Sequence, residues 1–210
     1  MAQTLVNRRA TRRVAALRDW VHDRLGDVRH ERRVAAIAAK LAQVARPLHS
    51  LRPEHGRLLR MAALVHDVGR FKERKNHPTL GAELILRRDK LPLSPFERRA
   101  LAYLTRYHRG GVPEIGKDGI LKPEDDPDLM RTLLAFLRAA DAMDCRSLPS
   151  PRLRIELNGR RIRIVCGLID DTSKARRVFS RRKKLRLLEE TLDCDVQVEV
   201  RSAARLTAVA

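Results

Sequence analysis

The chain has 210 residues, room for one domain of ordinary size and a small appendage. Hydrophobic residues make up 43% of it, enough for a real core, so a disordered chain is excluded despite 34% charged residues. Basic residues outnumber acidic ones 45 to 26, a net charge of +19. A field of that sign attracts nucleic acid, nucleotides, polyphosphate or an anionic membrane surface, without choosing among them.

Aromatic residues are only 3%, so the core must be Leu, Val, Ile and Ala, a mixture that favours helices over a sheet sandwich. Cys145, Cys166 and Cys194 are an odd set with no CxxC spacing. They offer neither a disulfide framework nor a zinc ribbon, and they fit a reducing cytoplasmic setting. No stretch approaches the ~18 apolar residues of a membrane span.

The N-terminus, Met1 to Arg18, is Arg-rich and free of acids. That composition suits a transit peptide as well as a helix; the pattern favours a basic first helix running through Trp20. Val28, Val34, Ile37, Leu41 and Val44 form one stripe of a helix that also carries His30 and ends at Arg46-Pro47. Residues 56–68 predict a uniformly apolar core helix, with Gly69 placed as a left-handed cap. A short helix starts near Pro78 or Thr79. Ser94-Pro95-Phe96-Glu97 is a capping box that opens another, running to about His108. A Gly/Pro/Asp-rich loop over 109–128 leads to a helix over roughly 128–146.

After Pro149-Ser150-Pro151 the period changes from helical to alternating. Leu153, Ile155 and Leu157, then Ile162, Ile164 and Cys166, joined through Asn158-Gly159, predict a β-hairpin. A basic helix over about 173–192 and a last strand through Val196, Val198 and Val200 follow. The expected architecture is mainly α: a helical domain over 1–149 and a small ββαβ extension over 150–210.

His and Asp occupy positions where a purely structural protein rarely puts them. His30 lies on an apolar stripe, and His66-Asp67 closes the most apolar helix. His108 shares a face with Leu101 and Leu104, and Asp141 with Leu134 and Leu137. Any one buried histidine reads first as a hydrogen-bonded core residue. A buried carboxylate is harder to dismiss, because its desolvation costs several kcal/mol unless it is paired or bound to a cation. Four helices each aiming one such group inward point to one shared metal.

The order His30, then Val65-His66-Asp67-Val68-Gly69, then Ala140-Asp141 resembles the signature of HD-domain phosphohydrolases. Within that superfamily, residues 30–146 resemble the C-terminal HD domain of the Ppx/GppA (exopolyphosphatase and guanosine pentaphosphatase) family. The segments that carry this are Arg29-His30-Glu31-Arg32-Arg33-Val34, Ala63 through Phe71, Tyr107-His108-Arg109 and Leu137 through Asp144. The ββαβ tail is similar to that family's C-terminal extension. The actin-like ATPase domains that carry exopolyphosphatase catalysis there do not fit in this chain, so that activity does not transfer.

The resemblance implies that His30, His66, Asp67 and Asp141 hold a first divalent metal, with His66 and Asp67 at the catalytic centre. It also implies that His77 and His108 hold a second, bridged by Asp67. Imidazole and carboxylate ligands without thiolate suit Fe, Mn, Co or Mg. One or two such ions would polarise a phosphoryl oxygen and generate a hydroxide nucleophile near neutral pH. Arg70, Lys72, Arg106 and Arg109 could hold the substrate's phosphates, or be ordinary surface charge. His22-Asp23 is a second HD dipeptide without the apolar helix before it, and His49 and His55 read as solvated loop residues.

Eight basic residues crowd Lys174 to Arg186. Arg177, Arg181 and Lys184 are candidates for docking a polyanion such as polyphosphate or RNA, against the reading of a solvated helix face. Two functions are therefore in view. One is a metal-dependent phosphohydrolase acting on a phosphorylated small molecule, foremost a nucleotide. The other is a polyphosphate-, nucleotide- or RNA-binding module on the same fold without catalysis of its own.

Overall fold

The computed structural model describes residues 2–88, 90–114 and 116–203, with side chains from Arg12 onward. Within them lie eight α-helices, α1 (Ala2–Leu25), α2 (Arg29–Val44), α3 (Pro53–Val65), α4 (His77–Arg87), α5 (Pro95–Tyr107), α6 (Pro127–Ala142), α7 (Ser173–Phe179) and α8 (Arg186–Leu192). Three strands complete the fold: β1 (Arg152–Asn158), β2 (Arg161–Leu168) and β3 (Asp195–Ser202). The protein is mainly helical, as its composition predicts. No helix among the described residues is long and apolar enough to cross a membrane.

Helix starts follow the local chemistry. Pro53, Pro78, Pro95 and Pro127 sit in first turns, where a missing N–H costs nothing. The Ser94 hydroxyl accepts from the Glu97 N–H at 3.1 Å, and the Glu97 carboxylate accepts from the Ser94 N–H at 2.7 Å. Glu97 also takes a bidentate contact from Arg13 at 2.9 and 3.0 Å, which ties α1 to α5. Asp126 caps α6 by accepting from the N–H groups of Asp128 and Leu129.

Around α6, the bundle is dry. Leu133, Leu134, Phe136 and Leu137 have no solvent exposure. α2 packs on α3 and α6, and α4 packs on α5. The apolar helix predicted over 56–68 lies three residues earlier, and a short 3₁₀ turn over Val68–Phe71 follows it.

Gly69 is not a left-handed cap. Its φ is not positive, and it sits inside that 3₁₀ turn, where a Cβ would lie 2.2 Å from the His77 carbonyl oxygen and 2.6 Å from the Gly81 nitrogen. Glycine is needed here for close approach of α4 rather than for its dihedral freedom.

β1 and β2 are antiparallel with Asn158 opposite Arg161, so Gly159-Arg160 is a two-residue turn, with Gly159 at φ +57. β3 then pairs with β2 in parallel, giving the order β1-β2-β3. A parallel return requires a crossover connection. The continuous basic helix predicted there is instead two helices, α7 and α8, broken over residues 180–185. Packed like-charged side chains disfavour an unbroken helix; the break also buries Phe179 and Leu185 and turns Lys184 inward. α8 packs on α6, β1 packs on α2, and Cys166 Sγ lies 3.8 Å from Met143 Sδ. Sheet and bundle share one buried core.

Candidate metal centre

α2, the end of α3, the start of α4, the end of α5 and the last turn of α6 bring six predicted residues to one point. His30, His66, Asp67, His77, His108 and Asp141 are each at most 4% exposed. Helix boundaries explain the placement. His66 caps α3 in helical conformation, and Asp67 at φ −102, ψ 5 turns the chain, so adjacent residues project into the same space.

All four histidines are anchored through Nδ1. That atom of His66 contacts the Ala63 carbonyl at 2.8 Å, of His77 the Arg74 carbonyl at 2.7 Å, and of His108 the Thr105 carbonyl at 2.7 Å. In His30 it contacts the Asp144 carboxylate at 2.5 Å. Each Nδ1–H must donate to such an acceptor, so each Nε2 turns its lone pair to the interior.

Those lone pairs meet carboxylate oxygens and one another. Asp141 Oδ1 lies 3.4 Å from His30 Nε2 and 3.7 Å from His66 Nε2. Asp67 Oδ1 lies 3.8 Å from His66 Nε2, 2.9 Å from His77 Nε2 and 3.6 Å from His108 Nε2, and Asp67 Oδ2 is 3.9 Å from His30 Nε2. The Nε2 atoms of His77 and His108 are 3.2 Å apart. His30 Nε2, His66 Nε2 and Asp67 Oδ1 are buried without a hydrogen-bond partner. Three unpartnered buried atoms facing one space are what a bound cation resolves. Two groups of ligand atoms, His30-His66-Asp141 and His66-Asp67-His108, are each close enough to hold one ion. The residues present fit a divalent metal.

Both carboxylates of the site are held ionised despite their burial. Burial works against ionising Asp67, yet His66, His108 and His77 hold its carboxyl well below the usual range. Asp141 is likewise buried, and His30, His66 and Lys184 keep it ionised. Burial disfavours protonated His30, but with no cation in the cluster Asp141 and Asp144 outweigh it and lift the ring to about 9, so a metal bound at Nε2 would have to displace that proton. His108, with burial dominant, falls to about 4.

The cavity over this cluster holds about 650 Å³. Of the predicted phosphate contacts, Arg70 and Arg109 line it, at 3.4 Å from Asp67 and 3.8 Å from Asp141. Lys72 and Arg106 do not line it; they lie over the rings of Phe71 and Tyr107. Arg181 and Lys184 line the same cavity, Lys184 as an ion pair to Asp141 Oδ2, whereas Arg177 is exposed outside it. His22-Asp23 is exposed on α1 and takes no part. His49 and His55 are not solvated loop residues. His49 bonds the Ala42 carbonyl at 2.9 Å and stands edge-on to Phe136, and His55 is half-buried in the first turn of α3.

Two residues escape the sequence reading. Asp144 bonds His30, Arg33 at 2.8 Å and Ser150 at 2.8 Å. Its spacing of three from Asp141 within the helix predicted over 128–146 was the available signal, although α6 ends at Ala142. Arg146 joins buried Glu31 to Asp67 Oδ2, the latter at 3.1 Å. In a chain with 45 basic residues nothing in the sequence singled it out. Asp144→Asn should keep the fold but loosen the His30 ring, weakening metal binding about 10–100-fold. A competitive chelator titration checks this; an unchanged affinity would leave Asp144 a tie between Arg33 and Ser150 only.

A helical bundle with a buried His/Asp cluster open to a cationic cavity offers the ligands of a metal-binding class of protein. The model of the HD domain family matches residues 28–146, more than half of the chain, and the chain belongs to that family. Members of the family are metal-dependent phosphohydrolases. No curated protein matches the chain.

Proposed function

We propose that the protein is a phosphohydrolase that cleaves a phosphorylated small molecule, foremost a nucleotide, with one or two divalent ions held by His30, His66, Asp67, His77, His108 and Asp141. The observation that carries this is the set of four Nδ1-anchored histidines aiming Nε2 at two ionised, buried carboxylates. Fe, Mn, Co or Mg suits the nitrogen and oxygen donors. When bound, such an ion polarises the phosphoryl group and activates water near neutral pH.

The chain's own residues do the rest. Arg70 and Arg109, beside Asp67 and Asp141, pair with the phosphoryl oxygens and orient the scissile group against the cluster. Arg146 holds Asp67 Oδ2, which leaves Oδ1 directed at His66, His77 and His108. Asp67 thus faces both halves of the cluster and would serve as a ligand when metal is bound. Phosphate release from a panel of phosphate esters and nucleotides, with metal content measured on the same preparation, tests the proposal.

Nuclearity has its own test. If His77 and His108 hold a second ion, the wild type should carry about two metals per chain and the double alanine variant about one. A wild-type ratio that stays at one under saturating metal would reduce both histidines to structural or substrate contacts. The net charge of +19 favours the second reading, a docking module for polyphosphate or RNA. That reading requires polyanion binding without phosphate release.

A further inference from the structure

The family match ends at residue 146, yet one wall of the metal cavity comes from beyond it. Val178, Arg181, Arg182, Lys183 and Lys184, from the end of α7 and the break before α8, line the same cavity as His30, Asp67 and Asp141. The break in the predicted helix is what places them there. Leu185 is fully buried behind the segment, so the backbone is fixed where the side chains turn inward.

These cations are not equivalent. Arg182 is occupied by Glu189 at 2.6 Å and Asp195 at 3.7 Å. Lys184 bonds Asp141 Oδ2, while Oδ1 of the same carboxylate faces His30 and His66. Lys184 therefore borders the cluster without blocking its ligand atoms. Arg181 and Lys183 are exposed, and among the described residues neither has an ion-pair partner. Arg70 and Arg109 already suffice for one phosphoryl group at the cluster. The cavity is larger than a single phosphate needs, and it continues to a second cationic wall. Its lining includes no Phe, Tyr or Trp, so it offers a nucleobase no aromatic stacking platform.

We propose that Arg181, Lys183 and Lys184 form an anion subsite of the metal cavity that takes a second phosphate of the substrate. The ligand class is a compound with at least two phosphates, recognised through those groups and indifferent to any base attached. This rests on the phosphohydrolase reading for the identity of the first phosphate's position. Lys184 bridges the two positions, and Arg181 and Lys183 hold the distal phosphate.

Calorimetric titration of the full chain, in its metal-loaded state, separates the possibilities. The probes are orthophosphate, together with methylenediphosphonate and α,β-methylene adenosine diphosphate, whose P–C–P bridges resist hydrolysis. The diphosphonate should bind at least about tenfold more tightly than orthophosphate, since a second charge-assisted pair is added. Adding adenosine should change affinity by less than about threefold, because no ring stacks on it. Arg181→Gln with Lys183→Gln should erase the diphosphonate advantage and leave orthophosphate binding as it was. Lys174→Gln with Arg177→Gln, on the exposed face outside the cavity, should alter neither.

Equal affinity for the two simple probes, or an equal loss in the two double variants, would overturn the subsite and leave only the diffuse field of the chain. Strong dependence on the adenosine moiety would overturn base indifference. A protein that shows the discrimination but releases phosphate from no substrate would sink the hydrolase reading and leave the subsite standing. An active hydrolase without the discrimination would do the reverse.

Discussion

Replacing either His66 or Asp67 with alanine is expected to strip metal from the protein and take phosphate release to background, while His22→Ala changes neither. His66 Nε2 faces both Asp67 and Asp141 and belongs to both groups of ligand atoms, so its deletion disrupts both; Asp67 supplies the carboxylate of the second group, where its Oδ1 faces three histidines, and its Oδ2 also faces His30 of the first. His22 is exposed on α1 and touches none of them. The same variants should lose the stabilisation that metal gives the folded chain. For a site binding only the native state, an ion at about a hundred times its dissociation constant contributes ~2.7 kcal/mol. Melting temperature should therefore rise with added metal in the wild type and in His22→Ala, and stay flat in His66→Ala and Asp67→Ala. Full metal occupancy in both of the latter, by elemental analysis, would sink the assignment.

Much of this centre was legible in the sequence because burial and period speak together. His108 beside Leu101 and Leu104, and Asp141 beside Leu134 and Leu137, could be placed inward from helical spacing alone. His77 had no such signal: its surroundings, Lys75-Asn76-His77-Pro78, are those of a surface turn. It is buried because Val68 and Gly69 pack beneath the start of α4. The break between α7 and α8 was hidden for a different reason. Helix propensity over 174–186 favours one helix, the repulsion among its like charges opposes it without fixing where a break falls, and only packing on α6 requires Leu185 and Lys184 to face inward. Arg146 and Glu31 are a tertiary pair 115 residues apart, beyond any local pattern.

The last prediction tests the link between fold and site at Gly69. Gly69→Ala should destabilise the protein by roughly 1–3 kcal/mol or more, the range for overpacking a filled interior. The added methyl would lie 2.2 Å from the His77 carbonyl oxygen and 2.6 Å from the Gly81 nitrogen. Both are backbone atoms of α4, so no side-chain rotation relieves the contact, and the start of the helix must move. That movement carries His77, whose Nε2 contacts Asp67 at 2.9 Å and His108 at 3.2 Å. The variant should thus lose metal as well as stability, and lose it first from the half of the cluster built on His77 and His108. Gly56→Ala is the control: it also lies in a helix, but nothing within 4 Å meets its added Cβ, so it should stabilise the chain by about 0.4–1 kcal/mol and leave metal content unchanged. Thermal melting and metal stoichiometry on the two variants give the answer. A Gly69→Ala protein with wild-type melting and full metal content would show that α4 can shift without disturbing the centre.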